Sequence, residues 1–228
     1  MGKRQESRER IETAIIEIGR RHLVTEGAAG LSLRAVAREL GMVSSAVYRY
    51  VANRDDLLTL LVVDAYTELA DAVDRAVADA PAESDWRARI VATARAVRQW
   101  AVEQPARWAL LYGSPVPGYH APAERTVGPG TRVVGTLFSV VAAAMAAGEL
   151  TDSGAAVGQP LSADFDRLRV EFDFPGSDDI LAKCFLLWAA LVGAVSLEVF
   201  GQYGADTLTD PGMAFEVQIG LLIEMLAR

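Results

Sequence analysis

Cysteine is almost absent from this chain of 228 residues, and its uncharged runs are short. The single Cys184 excludes an internal disulfide and any zinc site built from several thiolates. The longest uncharged run near the C-terminus, from Cys184 to Leu197, is shorter than the ~20 apolar residues that span a bilayer, so we expect a buried helix and no membrane partner. The N-terminal stretch MGKRQESRER lacks the apolar segment of a signal peptide, which predicts a cytoplasmic location.

Histidine is also scarce, and this argues against an enzyme. Of the two histidines, His22 falls in a predicted helical stripe and His120 in a predicted loop, so neither belongs to a plausible catalytic set. Glu198 lies in an apolar stretch, where a carboxylate is more often on the exposed edge of a helix than functional. The sequence has no glycine-rich phosphate loop before a helix and no cluster with metal-ligand spacing. We therefore predict no enzymatic activity, no cofactor and no metal site.

Charge is unevenly distributed along the chain. The net charge is −8, but residues 1–54 carry ten lysines and arginines against six acidic residues, a charge of +4, and the remaining residues carry −12. Charges farther away than ~8–10 Å are screened at physiological salt, so a basic N-terminal segment can contact phosphates although the rest of the chain is acidic. Solvated helix faces can produce the same distribution, which therefore only supports a motif found by other means.

The segment from Leu31 to Arg54 reads LSLRAVARELGMVSSAVYRYVANR and has the spacing of a helix-turn-helix. Ala37 supplies a small residue where two helices cross, Gly41 tolerates the positive φ of a turn, and Val47 faces back onto the first helix. Two short helices joined by a glycine can also form a plain helical hairpin. DNA binding is favoured because the remaining face of the second helix, predicted over 44–51, and the residues after it carry hydrogen-bond donors without an acid. The donors are Ser44, Ser45, Tyr48, Arg49, Tyr50 and Arg54.

Apolar periodicity predicts helices along nearly the whole chain, and hence an all-α fold. A first helix should end near Gly27, and Ser32 should cap the first helix of the helix-turn-helix. After the recognition helix, Asn53 or Asp55 should cap a long helix with one continuous apolar stripe. The stripe consists of Leu58, Leu61, Ala65, Leu69, Ala72 and Ala76.

Further helices are predicted in the rest of the chain, with two interruptions. A short helix over 106–112 precedes residues 113–130, whose four prolines and four glycines predict an irregular stretch. This stretch is either a lid over a pocket or a plain surface crossover. A central helix is predicted over 131–147, and a second irregular or weakly helical stretch over 151–178. The helix that precedes the short one places four apolar residues on one face, namely Trp86, Ile90, Val97 and Ala101.

The last two predicted helices, over 179–200 and about 213–226, are more apolar than the C-terminus of a small monomer requires. They either close the core of the monomer, the commoner role of an apolar stripe, or pack against a second copy of the chain. We expect a homodimer through these two helices, because a recognition helix of this size gains affinity from two half-sites. The apolar stripe of the last helix is Phe215, Ile219, Leu222 and Leu226, and the small residues of the preceding helix are Gly193, Ala194 and Ser196.

The residues from Leu31 to Leu57 resemble the helix-turn-helix of the tetracycline-repressor (TetR) family of bacterial transcriptional regulators. The matching positions are Ser32, Ala37, Gly41, Val47, Tyr48, Arg54 and Asp55. The stretches LLYGSPVPGY and GAVSLEVFG are similar to one C-terminal subclass of this family. The resemblance implies a three-helix DNA-binding domain over 1–54, followed by a larger helical domain over 55–228 that binds an effector and dimerises.

The resemblance also implies roles for individual residues of the helix-turn-helix. One departure from the family pattern is Val43, which stands where a serine or threonine often caps the recognition helix, a role that Ser44 could take over. The residues implied nearest to base edges are Arg34, Ser44, Ser45 and Ala46. Those implied to hold phosphates are Ser32, Tyr48, Tyr50 and Arg54, and Arg49 could do either.

Finally, the resemblance implies a ligand-responsive regulator, a homodimeric repressor of an inverted-repeat operator in double-stranded DNA. A small hydrophobic effector would enter the helical body, change the angle of the long helix and release the operator. The alternative is an effector-binding helical dimer without DNA-binding function. Aromatic and methionine side chains near the proline- and glycine-rich stretch are the candidate pocket walls, although each is more often a core residue. They are Trp108, Tyr112, Phe138, Met145, Phe185 and Trp188.

Overall fold

The computed structural model describes residues 3–81, 85–150, 152, 154 and 156–227. Each regular element of these residues is a helix, which confirms the predicted all-α fold for the described part of the chain. The helices are α1 (Lys3–Gly30), α2 (Leu33–Glu39), α3 (Ser44–Val47), α4 (Arg54–Ala78), α5 (Trp86–Glu103), α6 (Pro105–Tyr112), α7 (Ala123–Ala146), α8 (Leu161–Phe172), α9 (Asp178–Val199) and α10 (Pro211–Leu226).

The chain divides into two compact units. The first contains Met1–Glu68 and Gln104–Gly130, and the second contains Leu69–Glu103 and Thr131–Arg228. This division by packing differs from the predicted division by function after residue 54, because the first half of α4 and all of α6 belong to the unit of the helix-turn-helix. The functional boundary remains a prediction.

Three predicted helix boundaries in the first unit are confirmed: the end of α1 and the caps of α2 and α4. The regular part of α1 ends at Gly27, which has a φ of 67°. Ser32 caps α2, since its hydroxyl accepts a hydrogen bond from the backbone N–H of Ala35 at 3.5 Å. Asn53 rather than Asp55 caps α4, because its side-chain oxygen accepts from the N–H of Asp56 at 2.8 Å.

Four charged side chains join three helices of the first unit. Arg107 of α6 donates to Glu68 at 2.7 Å and to Asp64 at 3.1 Å, both on α4. Arg20 of α1 donates to the same Asp64 at 2.7 and 2.8 Å and pairs with Glu68 at 3.0 Å. The side chains of Arg107 and Asp64 are 4% and 16% exposed, so the pair between them lies largely out of water. Together these ion pairs connect the three helices.

The predicted irregular stretch over 113–130 is shorter in the structure. Only 113–122 are irregular, and α7 begins at Ala123 and continues through Pro129. A proline removes one backbone hydrogen bond, but its φ is that of a helix, and packing can outweigh its low propensity. Glycine at position 130 leaves room for the ring of Tyr66, since a Cβ there would lie 3.3 Å from that ring.

The second unit contains a helix in a stretch that was predicted to be irregular or weakly helical. This stretch, over 151–178, contains α8, although Thr151 itself lies outside the described residues. The polar surface of α8 hides its periodicity, because only Phe165 on it is buried. The helix is supported by pairs of Asp164 with Arg167 and of Asp166 with Arg169, each three residues apart.

Helix α5 packs against α9 and α10 in the second unit, as its predicted apolar face requires. Trp86, Ile90, Val97 and Ala101 are all buried. The carboxylate of Glu198 on α9 accepts two hydrogen bonds from Arg98 on α5, at 2.6 and 2.7 Å. This pair makes Glu198 a link between helices.

The predicted dimer stripe on the last helix proves to be part of the monomer core. Phe215, Ile219 and Leu226 of α10 are buried within the second unit, and Leu222 is half-buried. The sequence could not separate these roles, because a stripe that closes a core and one that meets a partner have the same period. A different row of α10 is exposed. It consists of Met213, Val217 and Leu221, which are 66%, 60% and 66% exposed.

Two helices of the described part of the chain, α7 and α9, are long and apolar enough to cross a membrane by length and composition alone. The uncharged run within α9 is shorter than the helix itself, which has 22 residues. Core helices of soluble proteins meet the same criteria, so this feature carries little weight.

Candidate DNA-binding surface

The helix-turn-helix is built as its spacing predicts. Ala37 of α2 and Val47 of α3 are each 1% exposed and belong to one apolar cluster. Gly41 has a φ of 65°, and the N–H of Met42 reaches the carbonyl of Ala37 at 3.0 Å. The two helices therefore meet through a small residue and a valine, with the left-handed conformation at glycine in the turn.

The recognition helix is shorter than the predicted 44–51. Helix α3 ends at Val47 and is followed by a tight turn. Beyond it, the N–H of Arg49 bonds to the carbonyl of Ala46, and that of Tyr50 to Val47, each three residues back. This bonding tightens the last turn, which is therefore no longer α-helical. The periodicity of apolar and donor side chains does not show this change, so it could not locate the end of the helix.

The residues implied to lie near base edges are mostly on the surface. Arg34 on α2 and Ser44 and Ser45 on α3 are exposed, and Ala46 is half-buried. Val43 occupies the cap position of α3, and Ser44 is the first helical residue. The idea that Ser44 takes over the cap is therefore wrong, and its hydroxyl is not occupied in that way.

The residues implied to hold phosphates differ in exposure. Tyr48 is 47% exposed and Arg49 is exposed. Ser32 is half-buried at its capping position, and Tyr50 packs against the apolar cluster of the helix-turn-helix. Tyr48 and Arg49 are thus the most accessible of these groups, whereas Tyr50 also stabilises the fold.

Arg54 has a structural contact that the sequence analysis missed. Its Nη2 donates to the backbone carbonyls of Ala28 and Ala29 at 2.9 and 3.0 Å, which occupies both protons of that nitrogen. These carbonyls belong to the last residues of α1, where helices leave acceptors without partners. Arg54 therefore holds the end of α1 against the start of α4, and a role toward phosphate remains for the rest of its guanidinium.

A carboxylate near the end of α2 is hydrogen-bonded to two neighbouring side chains. Glu39 accepts hydrogen bonds from His22 at 2.5 Å and from Arg21 at 2.9 Å. The bond from His22, followed by that from Arg21, lowers the pKa of Glu39. The negative charge of Glu39 is thus paired with Arg21 within the helix-turn-helix unit, which reduces its repulsion toward a polyanion.

The predicted pocket walls are distributed over both units. In the first unit the rings of Trp108 and Tyr112 lie 4.3 Å apart, with Tyr66 at 6.3 Å from Tyr112. Burial raises the pKa of Tyr112 above the ordinary value of a tyrosine. The structure brings Trp108 and Tyr112 together and adds Tyr66 of α4, which the sequence analysis did not include among the candidate walls.

The other predicted walls belong to the second unit. The ring of Phe138 lies 5.1 Å from the rings of Phe172 and Phe174, and that of Phe185 lies 5.7 Å from Phe165. Phe185 is nevertheless 47% exposed. Met145 and Trp188 are half-buried. Among the described residues, no group of three or more His, Cys, Asp or Glu side chains is placed to hold a metal ion.

Comparisons with known proteins identify the family. A family model described as the C-terminal domain of tetracyclin repressor-like proteins matches residues 90–222. An HTH-type transcriptional regulator of Mycobacterium tuberculosis strain H37Rv is 63% identical over 228 residues, which cover 100% of this chain and 97% of the relative. The chain belongs to the TetR family. It is thus a helix-turn-helix transcriptional regulator, and the family resemblance predicted from residues 31–57 is confirmed.

Solved structures support the TetR-family fold over the whole length. The crystal structure of the regulatory protein SCO4313 has a TM-score of 0.77 at 29% identity and covers 98% of this chain and 100% of its own. The transcriptional regulator FadR from Bacillus subtilis, solved with stearoyl-CoA, has a TM-score of 0.66 at 11% identity. Its alignment covers 92% of this chain and 97% of its own. The likeness to FadR is one of fold alone.

Proposed function

We propose that this TetR-family regulator is a homodimeric repressor that binds an inverted-repeat operator through its helix-turn-helix. The observation that carries the proposal is the side-chain arrangement of α3 and the turn after it. Val47 is buried in the fold, whereas Ser44, Ser45, Tyr48 and Arg49 are exposed. Hydroxyl and guanidinium donors of this kind bind phosphates and the acceptor edges of bases.

Each exposed group has a role in this proposal that follows from its chemistry. Arg34 reads guanine through its paired donors, and Ser44 and Ser45 reach base edges beside Ala46. Tyr48 and Arg49 bind phosphates, assisted by Ser32, Tyr50 and the part of Arg54 that does not bond to the end of α1. The phosphate contacts set the position of the helix-turn-helix on the duplex, and the base contacts provide the sequence preference.

A dimer is proposed through the exposed row of α10. Met213, Val217 and Leu221 recur every four residues and therefore lie on one face of the helix. Large apolar side chains that cluster on an exposed face commonly mark a protein interface. A two-fold axis would place the same row of each copy at the seam and relate two recognition helices to two half-sites.

The effector is proposed to be a small, largely apolar molecule that binds in the helical body and lowers operator affinity. The candidate walls are aromatic residues and a methionine, which suit an apolar ligand. FadR of Bacillus subtilis was solved with stearoyl-CoA, so a protein of the same fold accommodates a ligand with a long acyl chain. The regulator would act in the cytoplasm, where the operator DNA is found.

Selection from a random pool of DNA duplexes tests the proposal. The purified chain should enrich an inverted repeat, and Tyr48→Ala should reduce the enrichment strongly. Arg167→Ala is the matched control, because Arg167 is an exposed residue of α8 whose side chain pairs with Asp164 on the same helix. If wild type and control both fail to enrich any sequence, the chain is not an operator-binding repressor, and an effector-binding dimer without DNA-binding function becomes the better account.

A further inference from the structure

Val43 is an exposed apolar side chain in the middle of the proposed DNA-binding surface. It lies in the turn between α2 and α3 and is 72% exposed. Its neighbours along the chain, Ser44 and Ser45, are exposed as well. The valines that stabilise this unit have the opposite exposure, since Val47 and Val51 are 1% and 0% exposed. Val43 thus contributes little to the core.

Valine is also an unfavourable residue at this position for local reasons. Val43 is the cap residue of α3, a position where serine, threonine, aspartate and asparagine are strongly preferred because their oxygens accept from the first helical N–H groups. A valine side chain has no oxygen and cannot do this. Neither packing nor capping therefore accounts for this valine, and its two methyl groups are directed to the surface.

We propose that Val43 is a specificity-determining residue that contacts the 5-methyl group of one thymine in each half-site. This rests on the proposed function, in which residues of α3 reach base edges, and the recognition helix of a helix-turn-helix does so in the major groove. The thymine methyl is the one apolar group that natural base pairs present there, and side chains that carry methyl groups pack against it. Val43 cannot read bases by hydrogen bonds. It should therefore prefer thymine to the same base without its methyl group.

Substitution of single thymines by deoxyuridine tests this inference, because it removes the methyl group and leaves every hydrogen-bonding group in place. The operator obtained by selection is the probe, and affinity is measured by fluorescence anisotropy at fixed salt. We expect about fourfold weaker binding at one symmetry-related position, the equivalent of ~0.8 kcal/mol for one buried methyl-sized group. Other thymines of the half-site should change affinity less than twofold.

Variants of Val43 assign the effect to this side chain. Val43→Ser should fold, since serine is a preferred cap residue, and it should bind thymine and deoxyuridine operators equally. Val43→Ile should keep the discrimination. Val170→Ser is the control, because Val170 is an 84% exposed valine on α8.

The outcomes separate the two proposals. Equal binding of thymine and deoxyuridine operators by wild type would overturn the role of Val43 and leave operator binding intact. Discrimination that persists in Val43→Ser would also overturn it, since another residue would then read the methyl group. If the selection yields no operator at all, the proposed function fails first and this inference fails with it.

Discussion

The helix-turn-helix and the last helix expose opposite kinds of surface. Around α3, the apolar Val47 is buried and the exposed groups are mainly hydroxyls and a guanidinium. Helix α10 buries one apolar row and exposes a second, at Met213, Val217 and Leu221. A donor-rich surface suits a polyanion, whereas an apolar surface beyond the needs of the core suits a protein partner. The same chain thus separates the proposed tasks of reading DNA and forming a dimer.

The two units also differ in how charge is used inside them. In the first unit Arg107 is shared by two carboxylates and its side chain is 4% exposed. In the second unit Arg98 donates two hydrogen bonds to Glu198, and its side chain is 28% exposed. Removing one partner of a buried pair leaves an uncompensated charge. The stability of the first unit should therefore depend more on Arg107 than the stability of the second unit depends on Arg98.

Arg107→Ala should have the largest effect of the changes considered. It leaves Asp64 and Glu68 with Arg20 as their remaining partner in this cluster and should lower the free energy of unfolding by about 3–5 kcal/mol. Arg98→Ala is the matched comparison, and its loss should be smaller because water screens this pair more. Urea unfolding followed by circular dichroism measures both. Equal losses would remove the distinction between the units.

Charges placed in the exposed row of α10 should convert the dimer to monomer. Val217→Asp and Leu221→Asp would each bring two like charges together across a two-fold seam, at positions that the fold itself leaves exposed. Sedimentation velocity measures the oligomeric state, with Val170→Asp on α8 as the control. A variant that remains a stable dimer would show that the exposed row of α10 is not the seam.

Two variants of the helix-turn-helix test whether its exposed donors have separate roles at phosphates and at bases. Tyr48→Ala should weaken binding to all duplexes by a similar factor, because a phosphate contact carries no sequence information. Arg34→Ala should cost about 1–3 kcal/mol and also relax the preference at one position of each half-site. Competition binding against single-base operator variants distinguishes them. Equal changes in specificity for both variants would refute the assigned roles.

The smallest effect concerns Cys184, a buried thiol of α9. Burial raises the pKa of Cys184 to about 12, compared with ~8.5 for an exposed thiol. The native chain should therefore react slowly with a thiol reagent at pH 8 and rapidly once unfolded. Since the folded state disfavours the thiolate, this group's contribution to stability is present below pH ~8.5 and declines as the pH rises toward 12. Rapid labelling of the native chain would contradict the burial of α9 at this point.

Much of the helix-turn-helix could be predicted because its features are local. Capping by Ser32, the positive φ of Gly41 and the inward direction of Val47 follow from side-chain chemistry and spacing. The length of α3 and the contact of Arg54 with the end of α1 could not be predicted. Both depend on where distant parts of the chain meet, which the sequence pattern does not contain.

The rest of the chain shows a similar limit. The apolar faces of α5 and α10 were visible in the sequence, but whether a partner or the same chain covers them is a matter of tertiary packing. Pro129 was expected to lie in an irregular stretch, but α7 begins before it and continues through it. The region of α8 could be predicted only as irregular or weakly helical, because half of its residues are polar or charged. The candidate pocket walls were the least predictable, because aromatic residues in cores and in pockets have the same spacing.

The most direct test of the account is the stoichiometry of the complex on the selected inverted repeat. A titration of labelled duplex followed by sedimentation velocity counts the chains bound per duplex. Two chains of wild type should bind each inverted repeat, and Tyr48→Ala should bind about tenfold more weakly, the equivalent of ~1.4 kcal/mol. A complex with one chain per duplex, or one whose affinity is unchanged in Tyr48→Ala, would contradict a dimeric regulator that reads DNA through this surface.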